Sequence, residues 1–284
     1  MKGLIRMKYK LIATDLDGTL GNNKYLIDKE NALAAQKMVS AGGHVVLCSG
    51  RSVASLKYVA ENELGLKDAY LIGFNGGVTV HSTDMIAIHE EKLKKDYALE
   101  AHEFLRKYKL DETGKPQSIV GIYTGFYEIL TEQKQLLEKL YIKQNNKMQL
   151  NEQEHIKNLE DDIYKMLILG ENHTLKMLEP LLLELANGRY DVVFTGLNLL
   201  EIVPKNINKG NALTNLAKYL KIPMEQTIGI GDNYNDIELI KQAGLGIAVK
   251  NAVDELKEIA DIITENDNDN YAFAEAIEYA LKCI

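Results

Sequence analysis

Two aspartates that follow a short apolar run are the residues of this chain best placed to do chemistry. The run Leu11–Ala13 predicts a strand buried on both faces, and Asp15 and Asp17 follow it with one residue between them. Side chains alternate along an extended chain, so both carboxylates project to the same side. Two acids this close repel each other, and we expect a proton or a metal ion to neutralise at least one. Taken alone, the same residues with Gly18 also describe a strand and an ordinary Asp-Gly turn.

Three further polar clusters follow apolar segments later in the chain. They are Ser49 with Gly50, then Lys209, and then Asp232 with Asn235 and Asp236. Acids that converge on one edge would bind a hard cation, and Mg²⁺ keeps waters and a phosphate oxygen in its shell. A lysine and a Ser-Gly turn supply positive charge and hydrogen-bond donors for the other phosphate oxygens. A carboxylate nucleophile beside a second acid divides phosphoryl transfer into two steps through an aspartyl phosphate.

Each of these residues also has an ordinary structural role open to it. Lys209 fits an exposed helix start, and Ser49 fits a turn at the entry to a helix. Asp232 could cap the helix that follows it, and Asp236 could interact with the positive end of that helix. The combination, rather than any single residue, indicates chemistry.

Strands and helices alternate around the first two clusters. A helix capped by Asp28 leads to the strand His44–Cys48, and a helix capped by Ser52 leads to a strand over 69–74. Such a βαβαβ unit predicts a parallel sheet with right-handed crossovers. Ligands in these sheets bind beyond the carboxyl ends of the strands, where each of these strands places small or polar residues.

The pattern changes between residues 83 and 205. The predicted elements there are helices over 96–108, 132–144 and 172–187, a hairpin over 118–130, and strands over 163–169, 190–195 and 199–203. Hairpins mixed with helices predict an α+β module with a largely antiparallel sheet. The acidic segment Glu152–Asp162 is typical of a solvated helix face. Tyr123, Tyr127 and Arg189 are candidates for substrate contact that could equally belong to the core or the surface.

The doubly wound pattern resumes at Lys209, which opens a helix, and continues to the end of the chain. We therefore predict an α/β protein with a Rossmann-like, doubly wound parallel sheet as its core. The core is discontinuous, over residues 1–82 and 206–284, and residues 83–205 form an inserted α+β cap that acts as a lid over the substrate.

The motifs resemble those of the haloacid dehalogenase-like superfamily. The matching segments are Asp15-Leu16-Asp17-Gly18-Thr19, Ser49-Gly50-Arg51, Lys209-Gly210 and Gly231-Asp232-x-x-Asn235-Asp236. The lid between the second and third motifs is similar to that of the Cof-type (IIB) phosphatases, as are Asn75-Gly76, Ala243-Gly244 and Asn251-Ala252. Three positions depart from the usual pattern: Ser49 replaces a frequent threonine, and Lys250 and Asn270 replace frequent glycines.

The resemblance implies an enzyme that hydrolyses a small phosphomonoester, such as a sugar phosphate, with Mg²⁺ and an aspartyl-phosphate intermediate. Asp15 would be the nucleophile and a metal ligand. Asp17 would be the general acid and base and would give its backbone carbonyl to the metal, with Asp232 as the third protein ligand. The phosphate would be held by the Leu16 backbone N–H, Ser49, Gly50, Lys209 and Asn235, with Asp236 in the layer of residues behind them.

Two other functions fit the same residues. A phosphotransferase or mutase on this scaffold would pass the phosphoryl group to another hydroxyl, and a binding module would sense a phosphorylated metabolite without turnover. The intact acids and lysine favour catalysis. A cysteine phosphatase does not fit, because the arginine that Cys48 would require at position 54 is an alanine.

Composition limits the classes of partner. The net charge of -8 leaves no broad basic face for phosphates, so we expect no nucleic-acid partner. No apolar run approaches the roughly 18 residues of a membrane helix, so we expect no membrane partner. Cys48 and Cys283 suggest neither a disulfide framework nor a metal site, which is typical of a reduced, cytoplasmic protein. Met7 is an alternative start, in which case residues 1–6 are an extension; no feature indicates an oligomeric state.

Overall fold

The computed structural model describes residues 7–108, 118–140, 148–153 and 156–282. The chain divides into two compact units, the first made of Met1–Glu90 with Asn208–Ile284 and the second of Glu91–Ile207. The predicted extension 1–6, the end of the predicted helix 132–144 and Cys283 lie outside the described residues.

Strands and helices alternate through most of the chain. The strands are β1 (Leu11–Thr14), β2 (His44–Cys48), β3 (Tyr70–Gly73), β4 (Val78–His81), β5 (Ala87–Glu90), β6 (Ser118–Tyr123), β7 (Glu128–Thr131), β8 (Gln149–Glu152), β9 (Lys165–Gly170), β10 (Tyr190–Gly196), β11 (Leu199–Pro204), β12 (Thr227–Gly231), β13 (Leu245–Ala248) and β14 (Ile262–Ile263). The α-helices are α1 (Lys29–Ser40), α2 (Val53–Tyr58), α3 (Lys95–Tyr108), α4 (Lys134–Leu140), α5 (Asn172–Ala186), α6 (Lys209–Leu220), α7 (Ile237–Gln242), α8 (Asp254–Ile259) and α9 (Ala272–Lys282).

The sheet of the first unit has the strand order β14-β13-β12-β1-β2-β3-β4-β5. Pairing is parallel from β14 to β3 and antiparallel in the hairpins β3–β4 and β4–β5. Leu11 and Ile12 of β1 are completely buried, because this central strand has strand neighbours on both sides and shares a core with α6. The structure confirms the predicted α/β fold with a parallel-rich, doubly wound sheet.

The strand order reverses direction between β1 and β12. From β1 the chain adds β2 and β3 on one side, and from β12 it adds β13 and β14 on the other. Ligands of open α/β sheets bind in the crevice that such a reversal leaves at the carboxyl ends of the strands. The end of β1 and the end of β12 are therefore where a site is expected.

Helix caps fix the segments that leave this edge of the sheet. The Ser52 hydroxyl accepts a hydrogen bond from the Ser55 N–H, which confirms the predicted cap of α2. Asp28 precedes α1 but makes no side-chain cap, because its carboxylate accepts a bond from the Asn22 amide instead. Helix α6 begins at Lys209, and the side chain of Asn208 caps it.

The second unit contains a six-stranded sheet in the order β10-β11-β9-β6-β7-β8. All neighbouring strands are antiparallel except β7 and β8, as the predicted α+β organisation requires. Residues of α3 and α5 share one core with residues of the sheet, among them Ala101, Leu178, Met166, Ile168 and Ile202. This unit therefore has a hydrophobic core of its own.

The predicted solvated helix over Glu152–Asp162 was wrong for the residues that the structure describes. Residues 156–162 are irregular, and Ile156 and Leu159 are buried in the core of the second unit. Their spacing with Ile163 imitates a helical face, but Ile163 instead forms a backbone bridge with Leu93. Tertiary anchoring by these apolar side chains therefore overrides the local helical pattern.

Candidate active site

The ends of β1 and β12 bring the first and last acidic motifs together. The Asp15 N–H donates to the carbonyl of Ile230 at 2.9 Å, which ties the residue after β1 to the neighbouring strand. Asp232 follows the last residue of β12 directly. Parallel pairing of the two strands thus brings residues distant in the sequence to one edge of the sheet.

Lys209 lies between two of the predicted acids. Its Nζ is 2.5 Å from Oδ1 of Asp15 and 2.6 Å from Oδ1 of Asp236, and its side chain is 0% exposed. Burial lowers the pKa of Lys209, but the two carboxylates outweigh this effect and raise the pKa above its ordinary value. The lysine therefore remains an ammonium ion and partly neutralises the acids.

The pKa values of two aspartates in this group, Asp15 and Asp232, are raised. Burial raises the pKa of Asp15 well above its ordinary value; Lys209 opposes the rise, and the neighbouring carboxylates add to it. Burial is also the main reason that the pKa of Asp232 rises to about 6, while a hydrogen bond from Thr19 opposes it. One lysine is not enough to hold all of these acids in their charged forms.

A divalent cation fits this donor set. One carboxylate oxygen from each of Asp15, Asp232 and Asp236 lies within 4.8 Å of the others. Hard oxygen ligands with excess negative charge are what Mg²⁺ and similar ions bind. The third carboxylate of this cluster comes from Asp236. The sequence had instead predicted that Asp17 binds the metal through its backbone carbonyl.

Gly18 and Thr19 shape the space around Asp232. Gly18 has a φ of +89°, and a Cβ there would lie 2.6 Å from an Asp232 carboxylate oxygen, so only glycine fits. The Thr19 hydroxyl donates to Asp232 Oδ1 at 2.7 Å. Thr19 was noted in the motif without a role, because its partner is distant in the sequence.

Three predicted phosphate-binding residues meet around Asn75. The Asn75 N–H donates to the Ser49 carbonyl at 3.0 Å, and its side-chain oxygen accepts from the Asn235 amide at 3.0 Å. A Cβ on Gly50 would be 3.1 Å from the Asn75 amide nitrogen. Asn75 holds this position with a φ of 56°, a conformation that asparagine tolerates better than most residues. In the sequence Asn75 stands out only as part of a motif, and its Asn-Gly pair is the signal for a turn.

Leu16 and Cys48 lie next to the acids and Lys209 at this edge of the sheet. Leu16 is buried between the two aspartates, and its carbonyl accepts a bond from the Gly21 N–H. Burial raises the pKa of the Cys48 thiol, and Lys209 opposes that rise. A buried, protonated thiol is a poor nucleophile, in agreement with the exclusion of a cysteine phosphatase.

Asp17 points its carboxylate at an arginine of the second motif. Arg51 donates from Nε and Nη2 to the two carboxylate oxygens, at 2.9 and 2.5 Å. The two side chains are 38% exposed for Asp17 and 14% exposed for Arg51. Arg51 stands in the second motif, but no role follows for it from the sequence because its partner is distant along the chain.

The three substrate-contact candidates of the second unit have different surroundings. Tyr123 is completely buried, and Tyr127 is exposed. Arg189 pairs with Glu100 at 2.7 Å and lies over the ring of Tyr97. Among the described helices, none is both long and apolar enough to cross a membrane.

Comparison with known proteins decides the family. The sequence pattern of the haloacid dehalogenase-like hydrolases matches residues 12–277. The chain belongs to this family. The resemblance inferred from the motifs is thereby confirmed.

Relatives of this hydrolase include named phosphatases. The 5-amino-6-(5-phospho-D-ribitylamino)uracil phosphatase YwtE of Bacillus subtilis is 30% identical over 277 residues, covering 92% of this chain and 94% of the relative. Phosphatase YwpJ of the same organism is 30% identical and covers 96% of this chain and 100% of the relative. A haloacid dehalogenase-like hydrolase from Bacteroides thetaiotaomicron has a similar solved structure, with a TM-score of 0.85, 32% identity and coverage of 96% and 99%. The protein is thus an enzyme, a phosphatase of the haloacid dehalogenase-like family.

Proposed function

We propose that this phosphatase hydrolyses a small phosphomonoester with Mg²⁺, through a phosphoryl group carried on Asp15. The observation that supports this most is the buried contact of Lys209 with Asp15 and Asp236 beside Asp232, at the carboxyl ends of the central strands. Such a group combines a carboxylate nucleophile with positive charge for phosphoryl oxygens.

The reaction has two displacements at phosphorus. In the first, a carboxylate oxygen of Asp15 forms a bond to phosphorus while the bond to the leaving oxygen breaks, and Asp17 gives that oxygen a proton. In the second, water attacks phosphorus, Asp17 takes the water proton, and the bond to Asp15 breaks to release inorganic phosphate. Asp15 and Asp17 therefore regain their starting forms, and atoms and protons balance.

The residues around Asn75 would hold the phosphoryl group. The Leu16 N–H, the Ser49 hydroxyl, the Gly50 backbone and the Asn235 amide donate to its oxygens, and Lys209 neutralises its charge. Asp15, Asp232 and the Asp17 carbonyl would bind the metal, with the Asp236 carboxylate within reach. Bound Mg²⁺ would withdraw charge from the phosphoryl oxygens.

Substrate specificity would be determined by the inserted residues 83–205. The assignment of residues 83–205 as a substrate-specificity cap stays a prediction. The named activity of the relative YwtE concerns a primary phosphate ester on a polyol chain, so we propose phosphorylated sugars and polyols as the first substrates to screen.

The test is turnover of 4-nitrophenyl phosphate by the full chain. We expect activity with Mg²⁺, its loss with a chelator, and its return when Mg²⁺ is restored. The Asp15→Asn variant should lose turnover by on the order of 10³-fold or more, because amide nitrogen cannot carry the phosphoryl group. Reaction in ¹⁸O-labelled water should place solvent oxygen in the released phosphate. Unchanged turnover in Asp15→Asn would overturn the nucleophile assignment, and product formation without labelled phosphate would favour a phosphotransferase.

A further inference from the structure

Arg51 and Asp17 form a bidentate side-chain pair in the candidate site. Two guanidinium nitrogens meet both carboxylate oxygens, at 2.9 and 2.5 Å. Bidentate arginine–carboxylate pairs fix the plane of the carboxylate as well as its distance, which a single lysine contact does not. The pair thus fixes the orientation of a carboxyl group that is 38% exposed and would otherwise rotate.

The backbone of Arg51 is itself held in place. Its N–H donates to the Ser49 hydroxyl at 3.2 Å, and its carbonyl accepts from the Phe74 N–H at 3.0 Å. The first bond lies within the turn after β2, and the second connects that turn to the residue after β3. The guanidinium therefore extends from a fixed turn at the edge of the sheet, next to the residues proposed to bind phosphate.

A second carboxylate lies within electrostatic reach of Arg51. Glu63 ends a short π-helical turn, Val59–Glu63, that continues α2, and its carboxylate accepts a bond from the Ile27 N–H. Partial burial raises the pKa of Glu63, while the bond from Ile27 and the charge of Arg51 oppose the rise. Irregular π turns of this kind occur frequently at functional sites.

We propose that Arg51 is the positioning residue for Asp17 in general acid catalysis. This inference rests on the proposed function. When Asp17 acts as the acid, the hydrogen bond from Arg51 to one of its two oxygens opens, and that oxygen carries the proton that passes to the leaving oxygen as its bond to phosphorus breaks. The other oxygen continues to accept from the guanidinium. Arg51 itself exchanges no proton, because its guanidinium stays charged.

Arg51 near a phosphate site has an obvious competing role, since arginine also binds phosphoryl oxygens directly. The two roles differ in their dependence on the leaving group. A positioned acid matters most when the departing oxygen is strongly basic and little when it is a weak base. A phosphoryl contact matters equally for both, because the phosphoryl group is the same.

The experiment compares two esters of similar shape, phenyl phosphate and 4-nitrophenyl phosphate. Phenolate is the more basic leaving group and needs the proton more. We expect Arg51→Gln to lower kcat/KM for phenyl phosphate by about tenfold or more, and for 4-nitrophenyl phosphate by no more than about threefold. The parameter kcat/KM reports the steps up to phosphoryl transfer to Asp15, which separates the acid step from the later hydrolysis.

Two further variants test the route through Asp17. In an Asp17→Asn background, Arg51→Gln should cause no further change in the ratio of the two kcat/KM values. Arg106→Gln is the matched control: it removes an arginine that pairs with Glu103 and Glu132 in the second unit, so the ratio should stay that of the wild type. A further change of the ratio in the Asp17→Asn background overturns the inference.

The remaining outcomes are also decisive. Equal losses for both esters in Arg51→Gln, with a raised KM, would show that Arg51 binds the phosphoryl group and would overturn the positioning role. Unchanged values for both esters would overturn it as well. If the wild-type chain turns over neither ester with Mg²⁺, the proposed function itself fails, and that result does not depend on Arg51.

Discussion

At the scale of single residues, Asp232 shows how burial and charge determine the behaviour of the site. Its carboxylate accepts from Thr19 and lies beside Asp15 and Asp236. Burial raises its pKa to about 6, so its charged form is less favourable in the folded chain than in the unfolded chain. Ionised Asp232 therefore destabilises the metal-free protein, and bound cation would relieve this cost.

A pH series on Asp232→Asn tests this linkage. A group whose folded pKa is raised contributes most stability below its unfolded value, near 3.8, and loses it as the pH rises through about 6. Without divalent cations, we expect the stability of wild type relative to Asp232→Asn to fall between about pH 4 and pH 7 and to change little above that range. Thermal unfolding with a chelator measures this difference. A difference that is constant with pH, or that changes in the opposite direction, contradicts the account.

At this scale the sequence predicted most of the residues that form the candidate site, but not the contacts that organise them. Motif spacing predicted Asp15, Ser49, Lys209 and Asp232 as candidates because their residue types are distinctive at the ends of apolar strands. Thr19, Arg51 and Asn75 were quoted within motifs yet received no role. Their partners lie on other strands, and only the folded chain shows which side chain each one meets.

At the scale of elements, the segment after β3 joins separate motifs. Phe74 and Asn75 have φ values of 53° and 56°, and Gly76 has a φ of +106°. Backbone bonds tie this turn to Ser49 and Arg51, and Gly76 packs against the backbone of Asn208 at the start of α6. Consecutive left-handed residues are costly and persist here because the surrounding contacts hold them.

Gly76→Ala should therefore be more disruptive than an ordinary glycine substitution. A Cβ at Gly76 would overlap the Asn208 carbonyl, whereas one at Gly42, which also has a positive φ, would meet nothing within 4 Å. We expect Gly76→Ala to lower the free energy of unfolding by about 3 kcal/mol or more and Gly42→Ala by about 1 kcal/mol. Denaturant unfolding measures both variants. Equal losses would show that the close approach to α6 contributes nothing beyond backbone strain.

The local sequence pattern predicted most of the helices and strands. It failed where tertiary contacts determine the backbone conformation. The caps and strand ends around the site follow from short-range signals, as at Ser52. The irregular course of residues 156–162 does not, because Ile156 and Leu159 are anchored by the core of the second unit. The same spacing of apolar residues is compatible with a helix and with an irregular segment held at its buried residues.

At the scale of the whole molecule, the chain contains two units with separate sheets and cores. The acids, the lysine and the residues proposed to bind phosphate all belong to the first unit. The hairpin β4–β5 extends the first sheet to Glu90, and the predicted division at residues 82 and 83 falls within its turn. The change in pattern along the sequence indicates a second unit, while its edges depend on strand pairing.

The central claim is that Asp15 carries the phosphoryl group during turnover, and direct trapping tests it. Asp17→Asn mixed with 4-nitrophenyl phosphate and Mg²⁺ should form the phosphoryl enzyme, because nitrophenolate leaves without a proton, and should hydrolyse it slowly for lack of the general base. Acid quenching and peptide mass spectrometry should then find one phosphoryl group on Asp15. Active wild-type enzyme with no phosphoryl group on Asp15 at any quench time, in either protein, would contradict the account.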